Sequence, residues 1–244
     1  MSPYRERAKQ NLLTEPAGDA GWAAKRAEEI PSSLWPDAFF FSSVTPASHV
    51  LDVGCGTGAL ALHLAAEGHR VEGIDLSYDA VRAATQRAQA HGLAGRCSFH
   101  QGSATALPFA SGTFDVVVVQ AVLTTVSRPE DRISMLRAAR RVLKATGCLY
   151  TAEFAQTWHH PLYRSRYLRD AELTGEMGLF VVSDDEGQEL YRAKHFSVRE
   201  MTELLLHSGF EIGSFRHVTF RTRSGNLVDG FQALSHLPEA SPSP

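Results

Sequence analysis

The stretch HVLDVGCGTGAL, residues 49–60, decides the fold of this chain. Its apolar beginning is typical of a short buried strand, glycines follow at positions 54, 56 and 58, and residues 59–67 have helical spacing that stops at Gly68. Glycines let the backbone approach a ligand closely, and the first amides of a helix have no partners within the helix. A strand that passes through such a turn into a helix therefore predicts an α/β protein with a ligand site at the turn.

Strands and helices alternate on the C-terminal side of this turn. Further strands are predicted at residues 70–74, 96–100, 113–119 and 147–154, and helices at residues 77–91 and 129–144. The valine run within residues 113–119 is typical of a strand that is buried on both faces. The alternation predicts a doubly wound, Rossmann-like parallel sheet.

The alternation stops after Phe154. Residues 155–195 are polar and aromatic with weak periodicity, which indicates a helical or irregular insertion of the kind that covers a binding site. A helix is predicted at residues 196–208, with Ser197 as N-cap and Glu200 completing a capping box. Residues 210–221 and 226–236 are predicted to form a β-hairpin around an Arg-Ser-Gly-Asn turn.

The chain thus divides into five predicted parts. These are a lead segment at 1–44, a core at 45–154, a substrate lid at 155–195, the last helix and hairpin of the core at 196–236, and a disordered tail at 237–244. The lead segment holds a helix-compatible stretch at residues 20–29 and an aromatic cluster, Trp35, Phe39, Phe40 and Phe41. The tail is rich in proline and serine, a composition typical of disorder.

Charge and hydropathy restrict the class of protein. The 244 residues include 24 Lys and Arg against 27 Asp and Glu, a formal net charge of −3, which gives no general attraction for nucleic acid or anionic lipid. The longest apolar run, residues 116–123, is far shorter than the ~20 residues of a membrane helix. The polar first ten residues are unlike a secretory signal. The three cysteines show no CxxC pair and no zinc spacing, which indicates a reducing compartment. We therefore expect a cytoplasmic protein without a membrane segment.

The residues around the glycine turn leave the cofactor open between two classes. Gly54, Gly56 and Ala59 fit a dinucleotide fingerprint, and Asp75 ends the second strand, where a carboxylate can accept hydrogen bonds from ribose hydroxyls. These residues are compatible with an enzyme that binds a nicotinamide dinucleotide and also with one that binds an adenosyl ligand. Asp52, just before the first glycine, suits a ligand with an ammonium group and is poorly placed beside a pyrophosphate.

Three motifs together carry a family resemblance: LDVGCGTG at residues 51–58, GSATALPFASGTFD at 102–115 and RRVLKATG at 140–147. With Asp75 and the terminal hairpin, the chain resembles the class I S-adenosylmethionine-dependent methyltransferases. The resemblance covers residues 45–154 by motif and 196–236 by order of elements only. It implies a seven-stranded sheet with an antiparallel last strand, S-adenosylmethionine as cofactor and S-adenosylhomocysteine as product.

The resemblance also implies a set of cofactor contacts. The matching positions are Asp52, Gly54, Gly56, Gly58, Asp75, Leu76, Ser103, Ala104 and Gln120. The glycines would line the methionine portion, Asp52 would hold its amino group, and Gln120 would lie near it. Asp75 would bind the ribose, with Leu76 against the adenine. Ser103 and Ala104 stand where the family usually has Asp-Ala facing the adenine amino group, so Ser103 is a departure.

The catalytic residues are less well specified. Thr124 and Thr125 stand where many relatives have two histidines, which removes a frequent candidate for the base. His159 and His160, just after the fifth strand, and His195, before the last helix, are the remaining candidates because imidazole titrates near neutral pH. A structural role for each is the alternative. No histidine pair has ligand-like spacing, so no metal site is predicted.

The predicted reaction is methyl transfer from S-adenosylmethionine to an O, N or C atom of a small-molecule metabolite, such as a natural product. One alternative is a cyclase or other non-methylating enzyme that keeps the sulfonium compound as a fixed charge. A tRNA-modifying methyltransferase is a second alternative. The net negative charge disfavours binding of nucleic acid, but the arginines of the hairpin could contact the phosphates of a tRNA. A ligand-sensing module is a third. Monomer and homodimer are both compatible with the sequence.

Overall fold

The structure is a computed structural model that describes residues 34–183, 186–187, 189–222 and 225–239, together with residues 22, 26 and 27. The strands are β1 His49–Val53, β2 Arg70–Asp75, β3 Cys97–Gln101, β4 Phe114–Gln120, β5 Leu143–Phe154, β6 Leu179–Ser183, β7 Glu189–Lys194, β8 Glu211–Arg221 and β9 Leu227–His236. The helices are α1 Ala38–Phe41, α2 Ala59–Ala66, α3 Tyr78–Ala90, α4 Pro129–Val142, α5 Pro161–Thr174 and α6 Val198–His207. A 3-10 turn, Leu123–Thr125, follows β4.

The main sheet has seven strands in the order β3-β2-β1-β4-β5-β9-β8. The strands from β3 to β5 are parallel, and β9 lies antiparallel between β5 and β8. This confirms the predicted α/β sheet of seven strands with an antiparallel last strand. The order also brings the carboxyl ends of β1, β2 and β4 to one edge, where ligands of open α/β sheets bind.

The valine run of β4 is the centre of the sheet, and its four valines are at most 2% exposed. Val117 and Val119 belong to one apolar cluster, and Val116 and Val118 belong to a second. Alternate residues of a strand point to opposite faces of its sheet. The two clusters therefore lie on the two faces, as the sequence predicts for a strand without a solvent face.

The helix signals of the sequence are confirmed in detail. Ser77 caps α3 by accepting a hydrogen bond from the Ala80 amide, and Ser197 and Glu200 form the predicted capping box at the start of α6. Element boundaries differ by a few residues, most at β5, which begins at Leu143 rather than residue 147. β5 continues directly from α4 because Leu143 already adopts an extended conformation.

The segment 155–195 is more regular than its sequence indicates. It consists of α5 followed by a separate two-stranded antiparallel sheet of β6 and β7. Leu179, Phe180 and Val181 are buried, so the short apolar run LFVV forms a strand that the weak periodicity of the surrounding residues hides. We call α5, β6 and β7 the lid.

Part of the lead segment packs on the sheet. Phe40 is fully buried with its ring centroid 4.7 Å from that of Tyr150, and the Arg216 side chain stacks on Phe39 and pairs with Asp37. Most of the helix-compatible stretch at 20–29 lies outside the described residues. Residues 223 and 224 of the hairpin turn and residues 240–244 of the tail also lie outside them, and 237–239 have no regular secondary structure.

None of the helices in the described ranges combines the length and the apolar character that crossing a bilayer requires. The same residues contain no group of three or more His, Cys, Asp or Glu side chains arranged to hold a metal ion. The three cysteines, Cys55, Cys97 and Cys148, are buried and unpaired.

Candidate active site

A cavity of about 550 Å³ opens at the carboxyl ends of the parallel strands. One part of its lining, here called the cofactor wall, comes from the loops after β1 to β4 and includes Gly54, Asp75, Leu76, Ser103, Ala104 and Gln120. A second part, the aromatic wall, consists of Trp22, Phe154, Tyr163, Phe180 and Tyr191. The volume lies within the range of small-molecule sites.

The glycine turn forms the first piece of the cofactor wall. Gly54 has φ +69° and donates a 2.8 Å hydrogen bond to the Ile74 carbonyl. A Cβ at this position would overlap the side chain of Val122, so the turn depends on glycine for both conformation and space. Gly58, with φ +78°, precedes α2 without a side-chain cap, which leaves the first amides of that helix for a ligand.

Asp75 connects the glycine turn to the end of β2. Its Oδ2 accepts a 2.9 Å hydrogen bond from the Gly56 amide, and its Oδ1 accepts one of 2.9 Å from the Ser77 amide. Burial raises the pKa of this carboxyl, and the same backbone amides oppose that shift. Each oxygen retains a lone pair, so the carboxylate can still accept hydrogen bonds from two vicinal hydroxyls.

Asp52 lies behind the glycine turn and is 5% exposed. Its carboxyl group forms no hydrogen bond or ion pair with another residue of the described ranges. Burial first, and the charge of Asp75 second, raise its pKa to about 7. A buried carboxylate without a counter-charge favours a cationic ligand, because such a ligand offsets the cost of desolvation.

Of the other predicted cofactor residues, Leu76, Ser103, Ala104 and Gln120 border the cavity, whereas Asp52, Gly56 and Gly58 are not among its described lining residues. Ser103 Oγ is 2.8 Å from Thr105 Oγ1. Gln120 Nε2 donates a 2.7 Å hydrogen bond to the Leu34 carbonyl, while its Oε1 is buried without a partner among the described residues. An acceptor without a donor at this position fits a ligand that carries an ammonium group. The cofactor wall therefore fits a ligand with a ribose and a cationic amino-acid portion.

The three candidate histidines separate in the structure. His195 lines the cavity. His159 is 71% exposed with its Nδ1 3.4 Å from Asp229, and His160 directly precedes α5, with its ring 5.2 Å from that of Tyr163. Neither His159 nor His160 is among the cavity-lining residues that the structure describes.

His195 is enclosed by aromatic rings. It stacks on Phe154 with ring centroids 5.3 Å apart, and the rings of Tyr163 and Phe180 are each 5.0 Å away. Burial, with smaller contributions from the charges of Arg166 and Lys194, lowers its pKa to about 3. The imidazole is therefore neutral at neutral pH, and it is a weak base in this environment.

Glu153 also contributes to this region, although it is not among the site residues predicted from the sequence. It is fully buried near the end of β5, where Oε1 accepts hydrogen bonds from the amides of Val122 at 3.0 Å and Leu123 at 2.9 Å, and Oε2 accepts one from Thr124 at 3.1 Å. Burial raises its pKa to about 8 against these bonds. Glu153 thus fixes the loop after β4, which lines the cavity. The signal in the sequence is an acid within an otherwise uncharged strand segment, LYTAEF.

The aromatic wall depends on contacts that no local pattern indicates. Trp22 of the lead segment packs on Tyr191 of β7 with ring centroids 5.6 Å apart. Thr124 donates a hydrogen bond of 2.6 Å to the Lys194 carbonyl, which attaches the loop after β4 to the lid. The lid and the lead segment thereby complete a cavity that the sheet alone would leave open.

Comparisons with known proteins agree with this geometry. Residues 50–147 match a family model described as a methyltransferase domain. A ubiquinone/menaquinone biosynthesis C-methyltransferase UbiE from Dinoroseobacter shibae is 31% identical over 193 residues, which are 77% of this chain and 76% of that protein. A crystal structure of a SAM-dependent methyltransferase from Methanosarcina mazei is 38% identical, with a TM-score of 0.80, and the match covers 84% of this chain and all of that one.

The chain belongs to the class I S-adenosylmethionine-dependent methyltransferases. It is an enzyme, and S-adenosylmethionine is its cofactor, so the nicotinamide interpretation of the glycine turn is set aside. The fold is shared with a Burkholderia thailandensis 1,6-didemethyltoxoflavin-N1-methyltransferase whose structure holds S-adenosylhomocysteine, at 19% identity and a TM-score of 0.60 over 82% of this chain and 76% of that one.

Proposed function

We propose that this methyltransferase transfers the methyl group of S-adenosylmethionine to a small planar metabolite with an apolar body. The observation that carries the proposal is that the cofactor wall and the aromatic wall border one cavity. Five aromatic side chains provide large apolar faces, which suit a flat ligand better than an extended polymer. The acceptor is an O, N or C atom, and carbon is the first to test because the relative from Dinoroseobacter shibae is named a C-methyltransferase.

Each part of the site has a task in this proposal. Asp75 holds the ribose hydroxyls, Leu76 packs on the adenine with Ser103 and Ala104 beside it, and Asp52 balances the amino group of the methionine portion together with Gln120. Bound S-adenosylmethionine supplies a methyl group on a sulfonium, whose sulfur keeps the bonding electron pair as the methyl group leaves. The glycine turn allows close approach, with Gly54 at the cavity and Gly56 and Gly58 behind it.

The main contribution of the protein is to align the acceptor atom with the methyl group and to exclude water. Acid or base chemistry contributes less. Positioning of reactants can supply ~7–11 kcal/mol of a barrier, and the aromatic rings around His195 provide a dry, rigid enclosure for it. His195, His159 and His160 stay candidates for proton transfer, and only His195 borders the cavity. Its neutral ring suits a hydrogen bond to the substrate better than removal of a proton.

The test is production of S-adenosylhomocysteine. The purified protein is incubated with S-adenosylmethionine and a panel of planar phenols, enols and aromatic amines, and product is measured by mass spectrometry. We expect one class of compound to gain a methyl group, and Asp75→Ala to bind the cofactor more weakly while its circular dichroism stays unchanged. Absence of S-adenosylmethionine binding in the wild-type protein, or product formed only with bulk tRNA, would contradict the proposal.

The same proposal includes a role in natural-product biosynthesis and a cytoplasmic location, both of which rest on the sequence. Arg216 of the hairpin gives tRNA little support, because its side chain pairs with Asp37 and Gln232 within the protein. A filter-binding assay with bulk tRNA at low salt is the direct check, and weak binding is expected.

A further inference from the structure

Arg166 of α5 borders the cavity, and its guanidinium has no carboxylate partner among the residues that the structure describes. The guanidinium carbon lies 5.6 Å from the ring centroid of Tyr163 and 5.4 Å from that of Phe180, so two rings support the side chain from within the aromatic wall. Across the described ranges of the chain, the Arg166 side chain forms no hydrogen bond and no ion pair. A guanidinium offers several N–H donors in a planar fork that matches an ionised oxygen acid.

Other buried or half-buried cations of this region are neutralised. Arg132 pairs with Glu176 at 2.6 Å, and Lys194 pairs with Glu176 at 3.0 Å and with Glu200 at 2.6 Å. These pairs show that the fold supplies carboxylates where it holds a cation permanently. The half-buried Arg166 is different, because no carboxylate of the described ranges pairs with its guanidinium and its donors are left for another group.

The charges of the cavity lining are also few. Among the lining residues that the structure describes, Asp75 is the one acid and Arg166 the one permanent cation. Asp75 belongs to the cofactor wall and Arg166 to the lid. The cofactor brings a sulfonium, an ammonium and a carboxylate group to the cofactor wall. Arg166 lies instead against Tyr163 and Phe180 of the aromatic wall, so its charge remains for the second substrate.

We propose that Arg166 binds an ionised oxygen of the methyl acceptor, so that the enzyme selects flat, acidic metabolites, either carboxylates or phenolates and enolates, over their neutral analogues. The inference rests on the proposed function, whose cavity and cofactor it shares, and it specifies the substrate class. The aromatic rings hold the apolar body, while the guanidinium holds the anionic group and fixes its direction. Neutral compounds of the same shape would leave the arginine desolvated without a partner, which is costly.

The experiment is a calorimetric titration of the full-length protein loaded with S-adenosylhomocysteine. The probes are 2-naphthoate and 2-naphthamide, which have nearly the same shape and differ in charge. Arg166→Met removes the cation, Arg166→Lys keeps a positive charge, and Arg164→Met is the matched control, since Arg164 is an exposed arginine of the same helix that does not line the cavity. A second arm uses 4-nitrophenol, whose anion is yellow, at a pH where it is partly ionised.

We expect the wild-type protein and Arg164→Met to prefer 2-naphthoate by about tenfold or more, the effect of one charge-assisted hydrogen-bonded pair. Arg166→Met should lose the preference, and Arg166→Lys should keep part of it. If the yellow colour of 4-nitrophenolate increases on binding to the wild-type protein but not to Arg166→Met, the substrate class is phenolates or enolates. If the wild-type protein prefers 2-naphthoate and the colour does not increase, the substrate class is carboxylates.

An equal preference in Arg166→Met and wild type would overturn the inference, as would a wild-type protein that binds neither naphthalene probe or does not distinguish them. Binding of S-adenosylhomocysteine is measured for every variant and should be unchanged. If the wild-type protein bound no S-adenosylhomocysteine, the proposed function would fail instead, so the two failures are distinguishable.

Discussion

The Tyr167 hydroxyl lies 2.7 Å from Nδ1 of His195, and both groups are buried. The same hydroxyl oxygen accepts a 3.1 Å hydrogen bond from the Thr157 amide, and we assign the hydroxyl proton to the bond with Nδ1. A neutral imidazole that accepts at Nδ1 carries its proton on Nε2. His195 therefore offers the cavity a hydrogen-bond donor, and Tyr167 determines which tautomer is present.

We expect His195 to remain neutral throughout the physiological range, because burial lowers its pKa to about 3. Nitrogen-15 NMR of the ring should show the Nε2–H tautomer without titration down to about pH 5, and the pH profile of kcat should lack a step from this residue. Tyr167→Phe should allow the other tautomer and lower kcat about tenfold with little change in cofactor affinity. A titration of His195 near pH 6.5 would show instead that it is placed to act as a base.

The pKa of about 7 at Asp52 predicts that cofactor affinity depends on pH. The cationic amino group favours the ionised carboxylate, so binding lowers the pKa and releases a proton when the pH is below about 7. Affinity for S-adenosylmethionine should therefore fall as pH decreases through 7, by up to about tenfold per unit, and should level off above it. Calorimetry in buffers of different ionisation enthalpy measures the released proton.

The matched variants for this dependence are Asp52→Asn and Asp79→Asn. Asp52→Asn should bind the cofactor weakly with a flat pH profile, whereas Asp79, an exposed residue of α3 that pairs with Arg82, should be without effect. If Asp52→Asn kept the slope of the wild-type protein, another group would be responsible for it.

The raised pKa of Glu153 predicts that the stability of the protein depends on pH. Because its folded-state pKa is raised to about 8 from an ordinary value of 4.5, its contribution to the free energy of unfolding is full below about pH 4.5 and is lost as the pH rises to about 8. Glu153→Gln should remove this slope from the thermal midpoint measured between pH 5 and 8.

The glutamine of that variant would also place an amide donor against a backbone donor in the loop after β4. We expect kcat to decrease about tenfold, a loss typical of a misplaced positioning group, while S-adenosylhomocysteine still binds. An unchanged pH slope together with unchanged kcat would mean that Glu153 neither titrates as expected nor holds the loop.

Alanine substitutions at Gly54 and Gly92 distinguish the effect of backbone strain from that of steric overlap. Both have φ +69°, so alanine at either position should cost about 1 kcal/mol of stability. Only Gly54→Ala places a methyl group against Val122 in the cavity wall, whereas no atom lies within 4 Å of a Cβ at Gly92. Gly54→Ala should therefore bind S-adenosylmethionine at least tenfold more weakly than Gly92→Ala does, as measured by calorimetry. Equal affinities would show that Val122 moves aside without effect.

The sheet was predictable because its signals are local. The apolar runs of β1 and β4, the glycine turn and the capping box of α6 each lie within about a dozen residues, and each follows from backbone geometry or burial on one element. The proposed cofactor residues belong to the same class, since Asp52 and Asp75 end or nearly end strands at a known edge of the sheet.

The lid and its charges could not be predicted in the same way. Arg166 is one of several arginines on α5, and its place at the cavity depends on how that helix packs against β6, which no periodicity records. Glu153 is visible as an acid in a buried strand, but its partners lie about thirty positions earlier in the chain. Contacts between distant segments thus determine the aromatic wall, whereas short motifs determine the cofactor wall.

Glu153 holds the loop after β4 through main-chain amides alone, and every residue except proline has such an amide. These bonds are therefore independent of the Val122 side chain, which borders the cavity. Substitutions at position 122 can reshape the site while Glu153 keeps the loop in place. During evolution or in the laboratory, the enzyme can thus acquire a new substrate by exchanging single residues, without rebuilding its scaffold.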